Sequence, residues 1–206
     1  MHAFQAKNRH MQAIAMTGEA DVLLKYGYGQ LPLKKYQLVH AYYKERAKSH
    51  PDNLHLQRIL AISYERIGDI NQNLGDSEMA LQNYRDSLLI LKALVKSDPG
   101  NSDWQRDLSI SYGRVGGMHQ AQRSNDKAIL AYQDSIEIAN ILAISDPQFS
   151  WQRDISITYN KIGRAHEING DSEKAMLAYQ RSLTITTTLV KHDSNITTWQ
   201  SDLSVI

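Results

Sequence analysis

Residues 104–112 read WQRDLSISY, and residues 151–159 read WQRDISITY. Seven of the nine positions are identical, and the two changes are Leu to Ile and Ser to Thr. The phrase begins again as WQSDLSVI at 199–206, and a worn copy, Leu56-Gln57-Arg58, lies 48 residues before Trp104-Gln105-Arg106. Other landmarks keep the interval. Gly68, Gly116 and Gly163 are 48 and 47 apart, Tyr36, Tyr84, Tyr132 and Tyr179 are 48, 48 and 47 apart, and Pro51, Pro99 and Pro147 are 48 and 48 apart. A fixed period of this length marks an array in which each unit buries its apolar face on its neighbours. The units divide as 1–53, 54–101, 102–149 and 150–196, and 197–206 opens an interrupted fifth. The first unit is the most degenerate.

Each unit carries two helical patterns. Trp104, Leu108, Tyr112 and Val115 fall on one face of a first helix, and Ala128, Tyr132, Ser135 and Ile136 begin the stripe of a second. Ser102 and Gln105 have capping-box spacing, as do Thr197 and Gln200, so they predict the start of the first helix. Asp107, Asp154 and Asp202 are expected in its first turn, where carboxylates suit the dipole. The Ser-Asp-Pro runs end the second helix, because Pro disfavours helix at the residue before it. Within a unit the break is short, with Gly75 and Gly170 suited to a helix end. The third unit has Ala-Gln-Arg-Ser-Asn there and lacks the Gly, which predicts a less sharply specified turn. Gly68, Gly116 and Gly163 sit mid-helix at a cost of about 1 kcal/mol each relative to Ala. Close contact with Ala80, Ala128 and Ala175 of the second helix is the expected compensation, with Tyr84, Tyr132 and Tyr179 packing one turn on.

The order is therefore a small residue, Ala twelve positions on, Tyr four further and Ser three beyond. It is met at Gly68, Ala80, Tyr84 and Ser87, at Gly116, Ala128, Tyr132 and Ser135, and at Gly163, Ala175, Tyr179 and Ser182. Large residues precede each Gly: Tyr64 and Ile67, Tyr112 and Val115, Tyr159 and Ile162. This pattern resembles the tetratricopeptide repeat (TPR). The resemblance covers roughly residues 20–206, and reaches the first unit through Leu33, Tyr36 and Val39. It departs from the family in period, which is about 34 there and 47–48 here. The family's Pro near the end of the second helix is also replaced, by Lys92, Asn140 and Thr187. The extra residues are helical in pattern, so both helices should reach roughly 20 residues and ~30 Å, as in long-helix variants of the family. The resemblance implies an all-α fold: a right-handed α-solenoid of antiparallel helix pairs, with about eight long helices and a C-terminal stub.

Composition narrows the function classes. The 206 residues are 42% apolar and 22% charged, with 23 basic against 22 acidic side chains and no block of like charge. Neither the basic excess of a nucleic-acid binder nor the Lys/Arg face of a membrane-surface helix is present. No apolar run approaches a membrane span, and the N-terminus lacks the core of a signal peptide. With no Cys there is no disulfide and no thiolate metal site, a usage that leans towards a cytoplasmic setting, while the resemblance to long-helix variants implies a bacterial one. No phosphate-binding glycine loop or nucleophile elbow appears, and the Gly27-Tyr28-Gly29-Gln30 run reads as a turn. Trp104, Trp151 and Trp199 read as core, packed against the preceding second helix. His119 and His166 occupy equivalent positions and read as partly buried aromatic substitutes rather than a metal pair. No enzyme activity and no cofactor are expected.

What remains is a surface. The resemblance implies non-catalytic protein or peptide binding on a concave face lined by first helices. Carried over, the inward positions are Glu65, Arg66, Asp69, Gln72 and Asn73 in one unit. The next gives Arg114, Gln120 and Ala121, with Gly113 and Gly117 leaving space, and the last gives Asn160, Lys161, Arg164 and Glu167. Arg66, Arg114 and Lys161 form one column, and a column of cations suits a carboxylate or phosphorylated segment through charge-assisted hydrogen bonds. The carboxylate clamp of chaperone-binding members needs a Lys where this chain has Glu65, Gly113 and Asn160, and an Asn where it has Asp69, Gly117 and Arg164. That specific activity is not implied. The partner is thus a protein or peptide, with neither nucleic acid nor membrane expected. Two other readings stay open. One is the sensor arm of a larger signalling ATPase or protease, which the broken last repeat favours. The other is a self-assembly module, in which the unfinished C-terminal edge, carrying Trp199, Leu203 and Ile206, meets a second copy.

Overall fold

A computed structural model describes residues 2–26, 30–145 and 149–192. The stub at 197–206, the Gly27–Gly29 turn, Pro147 and the histidine-free tail beyond His192 lie outside the described residues. Among those described there are eight α-helices and no strand: α1 (His2–Lys25), α2 (Gln30–Ser49), α3 (Leu54–Asn73), α4 (Ser77–Ser97), α5 (Ser102–Ala121), α6 (Asn125–Ser145), α7 (Phe149–Ile168) and α8 (Ser172–His192). From α2 onward every helix has 20 or 21 residues, about 30 Å at 1.5 Å per residue. The chain forms two compact units, residues 1–97 with α1–α4 and residues 98–206 with α5–α8. All three tryptophans belong to the second.

In the first unit, Ala13, Val39, Tyr43, Leu56 and Leu60 make one core cluster, and Ala20, Tyr36, Ile67 and Ile70 another. In the second, Ala128, Tyr132, Ile136, Ile155, Ile162 and Ala178 lock α6, α7 and α8 together. Trp151 is buried and Trp104 half-buried, and the Arg106 guanidinium lies 5.5 Å from the centroid of the Trp151 ring.

The mid-helix glycines have a different partner from the one expected. A Cβ on Gly68 would lie 2.6 Å from the ring of Tyr84, one on Gly116 2.6 Å from Tyr132, and one on Gly163 2.5 Å from Tyr179. The tyrosine ring, not the alanine, occupies the space a side chain would need. Ala80, Ala128 and Ala175 are buried one turn away. Tyr84 and Tyr132 are fully enclosed, at 0% and 1% exposure. Burying an aromatic side chain contributes about 2–3 kcal/mol, which outweighs the helix penalty of about 1 kcal/mol for Gly.

Three further expectations are corrected. The caps of α3 and α5 are Asn53 and Asn101, whose side chains accept from Leu56 N–H at 3.0 Å and Trp104 N–H at 3.1 Å. Ser102 is thus the first helical residue, not the cap. Gln105, one turn in, donates instead to the Pro99 carbonyl at 2.6 Å, as Gln57 does to Pro51 at 3.2 Å. Asp107 and Asp154 stand in the second turn of their helices, because α5 starts at Ser102 and α7 at Phe149. The first-turn acid of α5 is Asp103. Asp154 lies among Arg153, Arg106 and Lys161, and burial raises its carboxyl above the ordinary range against their pull.

The turn of the third repeat, between α5 and α6, is as sharply specified as those after α3 and α7. Arg123 adopts φ 59°, where Gly75 and Gly170 have φ 84° and 80°. The paired bonds of the helix-end motif are the same in all three. Gly75, Arg123 and Gly170 N–H reach the carbonyls of Gln72, Gln120 and Glu167 at 3.0, 2.9 and 3.0 Å, and Asp76, Ser124 and Asp171 N–H reach Asn71, His119 and His166 at 2.8, 2.8 and 2.9 Å. The bonding network forces Arg123 into a conformation that costs an L side chain about 1–2 kcal/mol.

Candidate functional site

The first-helix face follows from the same tyrosines. Tyr84 donates its hydroxyl to Asp69 at 2.8 Å and Gln72 at 3.0 Å, Tyr132 to Gln120 at 3.1 Å, and Tyr179 to Glu167 at 2.9 Å. Tyr36 makes the equivalent bond to Asp21. Four residues placed on the binding face by sequence are therefore engaged in orienting the core tyrosines. Burial, with no counter-charge strong enough to offset it, pushes the Tyr132 hydroxyl up to about 12. Burial followed by the Glu167 bond does the same to Tyr179, also to about 12.

Glu65 departs furthest from expectation. It is buried, at 8% exposure, and accepts from Ser87 Oγ at 3.3 Å, so it does not line an open face. Ser109 and Ser135 meet in the corresponding place between α5 and α6. Each hydroxyl donates to the other's backbone carbonyl, at 3.0 and 2.9 Å. Ser156 and Ser182 repeat this between α7 and α8 at 3.0 and 2.9 Å, with Thr186 adding a hydroxyl contact at 2.6 Å. Gly113 faces the Ser135 hydroxyl at 3.8 Å and Gly117 the Tyr132 hydroxyl at 3.9 Å, measured from a Cβ built on each. The room beside these glycines is thus taken up by α6.

The cations are split by their surroundings. Arg66 is exposed and acts on the Tyr36 hydroxyl, and Arg164 is exposed and acts on those of Tyr132 and Tyr179. Lys161 is exposed along its length, but its ammonium group turns in over the Tyr132 ring, 5.8 Å from the centroid. Burial of that group lowers its pKa, and Asp154 opposes the shift. Arg114 and Asn160 are half-buried, and Asn73 and Ala121 are exposed at the ends of α3 and α5.

Residues 61–90 and 157–188 match the family model described as tetratricopeptide repeat. These segments are the core of the α3–α4 and α7–α8 pairs. These two segments carry the tetratricopeptide repeat. No match was found among curated protein sequences. Among solved structures, BtubC (BKLC) from P. vanneervenii superposes with a TM-score of 0.70 at 18% identity, over 86% of this chain and 64% of that one. This chain thus spans less than two thirds of that protein, and the likeness concerns the fold. A structure of MamA protein matches at a TM-score of 0.46 and 16% identity over 88% of this chain and 95% of that one.

Beyond the TPR signature residues, the histidines play separate parts. His119 is buried, and His166 lies 3.6 Å from the Asp171 carboxylate. Among the described residues no group of three or more metal-ligating side chains is gathered, and no helix is long and apolar enough to cross a membrane.

A second surface lies on the other side of α7 from Arg164. Between α6 and α8 the structure leaves an open groove of about 840 Å³ floored by Ile155, Tyr159 and Ile185 and edged by Ile144, Leu177 and Arg181. A smaller hollow of about 410 Å³ continues it towards His166 and Lys174, sharing Asn140, Tyr159, Leu177 and Arg181. Sequence reading missed this groove. Its signal was present, in Ile144 and Leu177 as apolar residues off the core stripe of their helices. They are 85% and 52% exposed.

Proposed function

We propose that this chain is a non-catalytic scaffold that holds a protein or peptide partner against the exposed face of its TPR first helices. Repeats of this family generally mediate protein–protein interaction without chemistry of their own. The observation that supports the reading is an exposed guanidinium on a first helix of each unit: Arg66 on α3 and Arg164 on α7. Arg114 on α5 and Lys161 on α7 stand at the repeat positions equivalent to Arg66. Guanidinium and ammonium groups at repeated positions suit an acidic or phosphorylated segment, each contact being a charge-assisted hydrogen bond. Asp69, Gln72, Gln120 and Glu167 serve that face indirectly, by fixing the tyrosines behind it.

The test is affinity capture with the chain and with the triple variant Arg66→Glu, Arg114→Glu, Lys161→Glu. Proteins retained by the first and lost by the second, with the helical circular dichroism unchanged, are the expected result. An identical set of captured proteins refutes the cationic face.

A further inference from the structure

The groove between α6 and α8 has a counterpart in the first unit, between α2 and α4 over α3. The two are built from equivalent positions, and the differences between them identify what the open one lacks. In the first unit His40 stands against Tyr64 with ring centroids 4.3 Å apart, and the Lys44 ammonium lies 5.9 Å from the same ring. Asp86 acts on His40 from α4, and Gln82 donates to its carboxylate at 3.1 Å. This place therefore holds a cation, an anion and a ring, all from the chain itself.

In the second unit Tyr159 takes the place of Tyr64, Ile136 that of His40 and Asn140 that of Lys44. Leu177 replaces Gln82, and Arg181 replaces Asp86. The acid has become a base, and the polar edge has become apolar. Arg181 lies 5.5 Å from the Tyr159 centroid and donates to its hydroxyl at 3.4 Å. It is the one ionised side chain among the described residues lining the larger hollow. The adjoining hollow adds Glu137 and Lys174, and Lys174 is bonded to Asp171 at 3.1 Å.

We infer that the α6–α7–α8 groove docks a partner segment that presents aliphatic side chains and one carboxylate. The carboxylate supplies at Arg181 the negative charge that Asp86 supplies in the first unit. The aliphatic side chains cover Ile144, Ile155, Leu177 and Ile185. A guanidinium over an aromatic ring offers a planar pair of donors for a carboxylate. The exposed apolar edge around it is the kind of surface that soluble proteins reserve for interaction. This groove is separate from the face of Arg66, Arg114 and Lys161, and its occupancy does not depend on that face.

The experiment is selection of phage-displayed random linear peptides on the full chain, followed by fluorescence anisotropy with labelled synthetic copies of the enriched sequences. The expected consensus is an acidic residue flanked by Leu, Ile or Val. Affinity should fall about tenfold for Arg181→Glu and for Ile144→Glu, both exposed sites whose circular dichroism is to be checked. It should be unchanged for Lys34→Glu in the first unit. A peptide with Lys in place of its acidic residue should recover affinity for Arg181→Glu. The proposal is overturned by several outcomes: no enrichment, enriched peptides without an acid, or peptides sensitive to the Arg66, Arg114 and Lys161 reversal but not to Arg181→Glu. Two more give the groove to another occupant and overturn it as well. One is a dimer in sedimentation equilibrium that Arg181→Glu and Ile144→Glu both dissolve, which assigns the groove to a second copy. The other is a gain in peptide affinity on Trp199→Asp, which assigns it to the chain's own C-terminal residues.

Discussion

The α2–α3–α4 and α6–α7–α8 layers share a plan and differ in how it is finished. Both set a tyrosine of a first helix, Tyr64 or Tyr159, beneath two second helices. Both hold an enclosed tyrosine, Tyr36 or Tyr132, on the first of those two second helices. In the first unit the space over Tyr64 is taken by His40 and Lys44, with Asp86 opposite. In the second the space over Tyr159 is open, and Arg181 is the ionised side chain over the ring. Core positions carry the repeat, so they resist divergence in volume. Positions facing outward between second helices carry no such constraint, and there one unit has filled itself while the other has kept a surface.

The largest expected effect lies where the units agree. Gly116→Ala places a methyl group into the Tyr132 ring and should destabilise the second unit by about 2–3 kcal/mol in urea unfolding. Gly68→Ala should do the same to the first unit through Tyr84. If Tyr132→Leu does not relieve Gly116→Ala, the ring is not what the glycine accommodates. The next effect is specific to one turn. Arg123→Gly should stabilise by about 1 kcal/mol, since Gly adopts φ near 60° without the side-chain penalty. The same change in the other direction, Gly75→Arg, should cost about as much.

A smaller effect distinguishes the filled layer by pH. Ser63 Oγ donates to the Leu60 carbonyl at 2.7 Å, which leaves His40 Nδ1–H to donate to that oxygen at 2.9 Å. Burial, then Lys44, holds the His40 imidazole below its ordinary value of 6.5, against the pull of Asp86. The folded protein therefore takes up this proton less readily than the unfolded chain. Its contribution is complete above pH 6.5 and is lost as pH falls below that value. Thermal unfolding followed between neutral and mildly acidic pH should show the slope, and His40→Ile, the residue type of the open layer, should flatten it. The smallest effect is on the open layer itself. Arg181→Asp removes no buried contact and should shift stability by less than about 0.5 kcal/mol, so that loss of binding in that variant reports on the groove and not on folding.

The period, the helix pairs and the core tyrosines were legible in the sequence because packing writes them at fixed spacing. Gly116, Ala128 and Tyr132 have the same residues at their equivalents Gly68, Ala80 and Tyr84 and Gly163, Ala175 and Tyr179, while the first repeat keeps only the tyrosine, with Ala20, Pro32 and Tyr36 buried there. What escaped was decided by three-dimensional proximity between non-equivalent positions. The cap of α5 was misplaced by one residue because Asn101 stands next to the Ser102 signal, and helix ends are read to within a residue or two. The serine pairs escaped because Ser109 and Ser135 are 26 residues apart on different helices, although their repetition as Ser156 and Ser182 carried the hint. The binding face was only partly legible. Asp69, Gln72, Gln120 and Glu167 look solvent-directed on a helical wheel, and only the reach of the tyrosine hydroxyls shows that they are already engaged.

The distribution of tryptophan has a practical consequence. Trp104, Trp151 and Trp199 all lie in residues 98–206, and residues 1–97 contain none. Emission excited at the red edge of tyrosine absorption thus comes from the second unit alone, while far-ultraviolet ellipticity sums over both. The chain carries its own reporter for asking whether its halves melt together. Coincident transitions would mean one cooperative body. A gap between the optical signals would mean two, and its sign would say which half yields first.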